Sequence, residues 1–319
     1  MTKQMGKIAF VFPGQGSQMV GMGKSLADQH AYIKEMLQKA DKKLGYSLTD
    51  IMFNGPEEKL TLTSNAQPAL LAVSMAVLKR FEEEGIIPDF TAGHSLGEYS
   101  ALAAAGAITY EEAVYAVHQR GNLMEEAVPA GQGAMAAVLG MERAALEEVL
   151  AQVSKGSDIV AAANFNCPGQ IVISGSKEGV EKASELLKEK GAKRVIPLNV
   201  SGPFHSPLME PAAEKLQLVL DEANIQPSQI PVIANVNAQP VTDAETIKEN
   251  LVKQLYSPVL WEDSVQTMLE AGVDTFIEIG SGTVLSGLIK KVNRRVRTFA
   301  ISDEESIVKT VAALKEETE

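Results

Sequence analysis

The sequence predicts an α/β protein, with a mostly parallel sheet covered by helices and a smaller unit inserted into the chain. Three observations carry that prediction. Strand-length apolar runs alternate with helix-length patterns towards both ends of the chain. A strand, a sharp turn and a helix surround Gly93-His94-Ser95-Leu96-Gly97. Between about residues 131 and 200 the order changes to β-α-β-β-α-β, the ferredoxin-like signature. The expected division is therefore a core of 1–130 and 201–319 around a ferredoxin-like subdomain of 131–200.

Taken in order, Ile8–Phe12 reads as a buried strand because four of its five residues are large and apolar and Pro13-Gly14 ends it. Helical periodicity covers Gln29–Lys43 and Ala66–Glu84. Phe90–Ala92 leads into the Gly93 turn, and the helix after it, Glu98–Ala105, stops at Gly106, a C-cap residue. A further helix spans Glu111–Glu126. In the inserted unit, strands are expected at Ala134–Leu139, Asp158–Ala163, Ile171–Ser174 and Arg194–Leu198, with helices at Glu142–Val153 and Lys177–Lys190. Asn166-Cys167-Pro168-Gly169 reads as the hairpin turn. Afterwards come helix Leu208–Ala223, strand Val232–Asn235, helices Ala244–Leu255 and Trp261–Ala271, strand Thr275–Ile279 and helix Val284–Lys291.

The composition excludes several classes. At 319 residues and 45% hydrophobic, the chain can bury a large core, so disorder is not expected. The net charge of −12 argues against nucleic acid as the main partner, because phosphate binding needs a basic face. The single cysteine, Cys167, can form no internal disulfide, and no His/Cys cluster has zinc spacing. No metal is expected. The short polar start before Ile8 shows no signal peptide, and no apolar run is long enough for a span. A cytoplasmic, monomeric protein is expected, and the glycosylation pattern Asn199-Val200-Ser201 is given no weight.

Gly93-His94-Ser95-Leu96-Gly97 fits the G-x-S-x-G nucleophile elbow. The turn holds its serine in strained geometry at a helix N-terminus, with the Leu96 N–H able to face a developing oxyanion. The core is accordingly expected to be α/β-hydrolase-like. Serine needs a base, and the chain has four histidines. His30 lies in a polar stretch, where solvation is expected. His94 is adjacent to Ser95 and so points away from it. His118 lies in a helix with apolar neighbours. His205 lies in Ser201-Gly202-Pro203-Phe204-His205-Ser206-Pro207, an irregular loop between strand and helix, and is the best base candidate. Gln15 sits between glycines directly after the first strand, which leaves its N–H unpaired. The Gly14/Gly16 loop is not a dinucleotide fingerprint, since the third glycine would fall at Met19. Ile279-Gly280-Ser281-Gly282 resembles a phosphate-binding turn before a helix but reads as a structural turn.

Five motifs in order give the chain a family resemblance. They are Phe12-Pro13-Gly14-Gln15-Gly16-Ser17-Gln18, Gly93-His94-Ser95-Leu96-Gly97-Glu98-Tyr99, Gln119-Arg120-Gly121, Gly202-Pro203-Phe204-His205-Ser206, and Gln254-Leu255-Tyr256-Ser257-Pro258-Val259-Leu260-Trp261. Over nearly its whole length the chain resembles the malonyl-CoA:acyl carrier protein transacylases, the stand-alone bacterial acyltransferases of fatty-acid synthesis. The resemblance implies Ser95 as nucleophile, His205 as base, and the backbone N–H groups of Gln15 and Leu96 as the oxyanion hole. It implies that a main-chain carbonyl, that of Gln254, orients the histidine. Arg120 would bind the malonyl carboxylate, for which a guanidinium fork is suited. Phe204 follows the pattern of members that take malonyl rather than methylmalonyl groups. No metal or redox cofactor is implied, since a thioester is already activated.

The partners implied are malonyl-CoA and acyl carrier protein. Carrier proteins are acidic, as this chain is, so docking would need a local basic patch. Two exist in the sequence: Lys290, Lys291, Arg294, Arg295 and Arg297, and Lys188, Lys190, Lys193 and Arg194. Three rival readings share parts of this pattern. A serine hydrolase would share the elbow, a polyketide synthase module would share the motifs, and a non-catalytic docking protein would share the scaffold. The Met1 start and the Gly-Pro-Phe-His motif favour a stand-alone enzyme.

Overall fold

The computed structural model describes residues 6–200 and 202–316, so Met1–Met5, Ser201 of the glycosylation pattern, and the last three residues lie outside the described residues. Among the described residues, ten strands form two sheets. The first strand, β1 (Lys7–Phe12), alternates its side chains between two cores: Phe10 and Phe12 face the larger cluster, Ala9 and Val11 a second one on the other face. β2 (Phe90–Gly93) pairs parallel to β1, with Phe12 opposite Gly93. Four strands follow in the inserted unit: β3 (Gly133–Leu139), β4 (Val160–Cys167), β5 (Gln170–Ser176) and β6 (Arg194–Pro197). The chain then adds β7 (Val232–Ile233), β8 (Pro240–Val241), β9 (Val273–Ile279) and β10 (Arg297–Ile301).

The larger sheet has the order β10-β9-β1-β2-β7-β8 and is parallel except for the edge strand β8. Parallel strands put the loops after β1, β2 and β7 at the same end of the sheet, where ligands bind in open α/β sheets. Helix Thr63–Phe81 is buried on nearly every side and runs through the larger cluster. The smaller sheet has the order β4-β5-β3-β6 and is antiparallel throughout. With helices Arg143–Val153 and Lys177–Glu189 it makes the ferredoxin-like arrangement, over its own cluster of Val138, Leu146, Phe165, Ile173 and Leu187.

The smaller sheet meets the rest of the chain at β4, against the segment before helix Trp261–Glu270. Phe165 N–H donates to the Val259 carbonyl at 2.9 Å and Val259 N–H to the Ala163 carbonyl at 2.8 Å. Val259 is thus an extra rung on an edge that would otherwise be open there.

Several elements differ from the sequence expectation. Helix Gln29–Lys43 is two helices, Lys24–Gln29 and Ala31–Leu44, with His30 extended between them. The helices Leu48–Asn54 and Glu57–Thr61 were not expected; each is two turns or fewer, too short to show a period. Neither β10 nor the last helix, Glu304–Lys315, was expected, because the basic run before them interrupts the apolar pattern. Cys167 ends β4 rather than sitting in the turn, and is buried. Among the described residues no helix is long and apolar enough to cross a membrane.

Candidate active site

The elbow is built by close approach. A Cβ on Gly93 would lie 1.8 Å from the Gly97 carbonyl oxygen, and one on Gly97 would lie 2.3 Å from that of Phe12. Neither position admits a side chain. Between them Ser95 adopts φ 54, a left-handed conformation costly for a non-glycine residue. Its N–H donates to Asn235 Oδ1 at 2.8 Å, and the Asn235 amide donates in turn to the Gly93 carbonyl at 2.7 Å. Asn235 lies two residues after the end of β7, so the segment leaving the neighbouring strand clamps the turn.

Ser95 Oγ lies 2.8 Å from His205 Nε2. His205 is 4% exposed and also adopts a positive φ, 57. Its Nδ1 lies 2.9 Å from the Gln254 carbonyl oxygen. That oxygen can only accept, so Nδ1 carries the proton and Nε2 is left to accept from Ser95. Burial, and then the nearby Arg120 cation, push the His205 imidazole down to about 3. It is therefore neutral, as a base must be, at any physiological pH.

Arg120 is 1% exposed and ends deep in the same site. Its Nη2 donates to Ser95 Oγ at 3.0 Å and to Gln254 Oε1 at 2.9 Å, and its Nη1 to Gln67 Oε1 at 2.8 Å. All three acceptors are neutral. Among the described residues Arg120 pairs with neither Glu125 nor Glu126 on its own helix; Glu125 accepts from Ser64 N–H instead. The Arg120 Nε has no partner among the described residues, and the Tyr99 ring lies 5.6 Å from Cζ. Arg120 thus presents a buried cation beside Ser95 with donor capacity left over.

The loop after β1 packs onto the elbow, since a Cβ on Gly14 would lie 2.4 Å from the His94 carbonyl oxygen. Among the described residues, the N–H groups of Gln15 and Leu96 donate to no protein acceptor. The Gln15 side chain donates to Thr63 Oγ1 at 3.1 Å and lines a cavity of about 480 Å³ with Leu62, Asn199 and Val200. Phe204 is buried in the main cluster beside Gly202.

The other histidines are held structurally. His94 Nε2 bonds Asn166 Oδ1 at 2.8 Å, which ties the elbow to β4. Pro68 has no N–H to offer the Ser64 carbonyl four residues before it, and His118 Nδ1 takes that carbonyl at 2.8 Å. His30 is not simply solvated, because its Nε2 meets Glu304 at 3.1 Å. The turn at Ile279–Gly282 is closed to phosphate: the buried Glu278 carboxylate accepts from Leu285 and Ser286 N–H at the N-terminus of helix Val284–Val292.

Sequence reasoning missed four polar residues of the site: Gln67, Glu98, Asn235 and the side chain of Gln254. Each is a polar residue at an otherwise apolar, buried position, and that is the signal that could have found them.

Comparisons with known proteins show the family. The family model for the acyl transferase domain matches residues 9–315. A malonyl CoA-acyl carrier protein transacylase of Bacillus subtilis (strain 168) is 59% identical over 313 residues, covering 98% of this chain and 99% of the relative. The crystal structure of an acyl carrier protein S-malonyltransferase from Vibrio cholerae superposes with a TM-score of 0.93 at 46% identity, covering 95% of this chain and 99% of that one. A malonyl-transacylase solved in complex with a type II polyketide synthase acyl-carrier protein gives a TM-score of 0.93 at 44% identity, with 96% and 99% covered.

Proposed function

This chain belongs to the acyl transferase domain family and is an acyltransferase; on that premise we propose that it moves a malonyl group from malonyl-CoA to the phosphopantetheine thiol of acyl carrier protein, by way of an ester on Ser95. The observation that carries the reading is the buried Arg120 guanidinium, 3.0 Å from the same Ser95 Oγ that meets His205 at 2.8 Å. A cation placed there reads a carboxylate on the acyl group being transferred.

The proposed cycle uses that geometry. Malonyl-CoA enters with its carboxylate on Arg120. His205 Nε2 takes the Ser95 proton as Oγ attacks the thioester carbon. The oxyanion lies between the Gln15 and Leu96 N–H groups, each such donor typically contributing about 3 kcal/mol in the transition state. The C–S bond breaks and the CoA sulfur leaves with the proton from His205. The carrier thiol then gives its proton to His205, attacks the malonyl ester, and Ser95 recovers its hydrogen. Such a cycle needs no metal or redox cofactor. It would supply malonyl units to fatty-acid synthesis.

For the carrier, the patch of Lys188, Lys190, Lys193 and Arg194 is the better candidate. All four are exposed, and β6 runs from them directly into Asn199 and Val200 at the cavity mouth. In the other patch Lys290 donates to the Arg294 and Val296 carbonyls, and Arg297 is engaged with Thr275. Charge reversal at Lys190 and Arg194 should raise the carrier KM and leave formation of the acyl-enzyme unchanged.

Intact mass after mixing with malonyl-CoA or acetyl-CoA, without carrier, tests the function. A malonyl adduct on the wild type, absent from Ser95→Ala and lost from Arg120→Ala, is expected, with acetyl a poor donor. Free malonate without an adduct would point to a hydrolase.

A further inference from the structure

Among the described residues, Arg120 is a buried cation with no carboxylate in contact, a costly arrangement unless some anion balances it. The carboxylate that faces it is one residue away. Glu98, three positions after the nucleophile, is 2% exposed, and its Oε2 accepts from Gln254 Nε2 at 2.7 Å and from the Asn235 N–H at 3.2 Å. Gln254 spans the gap: its Oε1 accepts from Arg120 Nη2 at 2.9 Å. Its Nε2 also reaches the Ser95 carbonyl at 2.9 Å and Asn235 Oδ1 at 3.2 Å. Of these three acceptors of Nε2, Glu98 gives the shortest contact and is the one that can carry charge.

We propose that Glu98 is a positioning residue for donor selection: through the side-chain amide of Gln254 it supplies the counter-charge that holds Arg120 beside Ser95 while leaving Nε–H and the second Nη1–H of the guanidinium to the donor's carboxylate. This rests on the malonyl-transfer reading above. The physical argument has two parts. An ionised carboxylate only accepts, so it requires Gln254 to turn its NH2 inward and its oxygen to Arg120. A charge-assisted bond at one end of the amide also polarises it and makes the oxygen at the other end a better acceptor. A direct bidentate Glu98–Arg120 pair would take two N–H groups of the guanidinium from the substrate; the intervening amide takes one. Acetyl groups carry no carboxylate and do not use this device.

The charge on Glu98 can be titrated. Burial pushes its carboxyl up to about 7, with the bonds from Asn235 and Gln254 and then the Arg120 cation opposing the rise. The ionisable groups around it are Tyr99 on its own helix, Arg120 on helix Tyr110–Ala127, and His94 and His205 at the elbow and base loop. Tyr99 is pushed up and both histidines are pushed down by burial, so none of the three changes charge near neutrality. Protonation of Glu98 below about pH 7 should therefore weaken the hold on Arg120.

The test is the ratio of kcat/KM for malonyl-CoA to that for acetyl-CoA, measured from pH 5.5 to 8.5 (about the range over which a group near 7 titrates). The CoA moiety is common to both donors, so its own phosphate titration cancels. In the wild type the ratio should fall on the acid side with a midpoint near 7. In Glu98→Gln it should be lower at pH 8 by about tenfold, the loss of one charge-assisted bond, and should not vary with pH. A wild-type ratio flat across the range, or a Glu98→Gln ratio equal to wild type at pH 8, would overturn the proposal. The wild-type profile alone decides it should Glu98→Gln not fold. A wild type that forms no malonyl-Ser95 would instead sink the functional reading, which keeps the two failures apart.

Discussion

Ser95 and His205 share an uncommon backbone conformation, φ 54 and φ 57, yet the two loops that impose it are built differently. The elbow is local. Two glycines four residues apart have no room for a side chain, and one strand and one helix flank them. The base loop is not. It returns from β6, and its histidine is fixed by the carbonyl of Gln254, a residue 49 positions further on. Pro203 packs against Gly133 at the start of β3, where a Cβ would lie 2.3 Å from its ring. The conformation of Ser95 is thus set first by its own turn, which Asn235 then clamps, whereas His205 is set by the inserted unit on one side and a distant helix end on the other. A catalytic pair can be half encoded in five residues and half in the tertiary fold.

The most severe way to break the contrast is at the elbow. Gly93→Ala should abolish activity and cost several kcal/mol of stability, because its Cβ would meet the Gly97 backbone rather than a movable side chain. Chemical unfolding measures this. His205→Ala should lower the rate of Ser95 acylation by about 10³-fold while the protein stays folded, since the loop loses a buried polar ring and not its path. Stopped acylation assays with unfolding midpoints recorded alongside separate the two outcomes.

The two loops should also respond to pH with opposite sign. His205 is held down to about 3, so between that value and the ordinary histidine range near 6.5 the unfolded chain binds more protons, and stability is lost as pH falls. Glu98 is held up at about 7, so between its usual range and 7 the native state binds more protons, and stability is lost as pH rises. Replacing His205 by Gln should flatten the acid loss of stability between pH 4 and 6.5, whereas Glu98→Gln should steepen it. Urea midpoints across that range check both slopes.

Smaller effects sharpen the picture. Phe204→Ala should raise kcat/KM for methylmalonyl-CoA relative to malonyl-CoA by roughly tenfold, the scale of one methyl group in a pocket. Asn166→Ala removes the bond that ties His94 to β4 and should cost about 1 kcal/mol of stability, with the acylation rate reduced only several-fold. A larger rate loss there would mean that the inserted unit positions the elbow as well as the base.

The same division explains what could be read from the sequence. The alternation of elements gave the parallel sheet, and the β-α-β-β-α-β order gave the second sheet, because both are carried by local periodicity. The elbow was legible for the same reason. His205 emerged by elimination among four histidines, and Arg120 only through the family motif, since a lone arginine on a helix otherwise pairs at the surface. Glu98, Gln67, Asn235 and the Gln254 amide went unseen because what makes them functional is burial against one another across four separate elements. β10 and the helix after it were lost beneath a basic run that ends in Arg297, whose side chain turns back onto Thr275 of β9.

The central claim is that one serine holds the malonyl group between two thiols. The most direct test is to load the protein with radiolabelled malonyl-CoA, remove all CoA, and add holo acyl carrier protein alone. The account predicts that the label leaves Ser95 and appears on the carrier thiol in a single turnover, and that it does not do so from His205→Ala. Label that stays on the protein until CoA is restored, or that ends as free malonate, would contradict it.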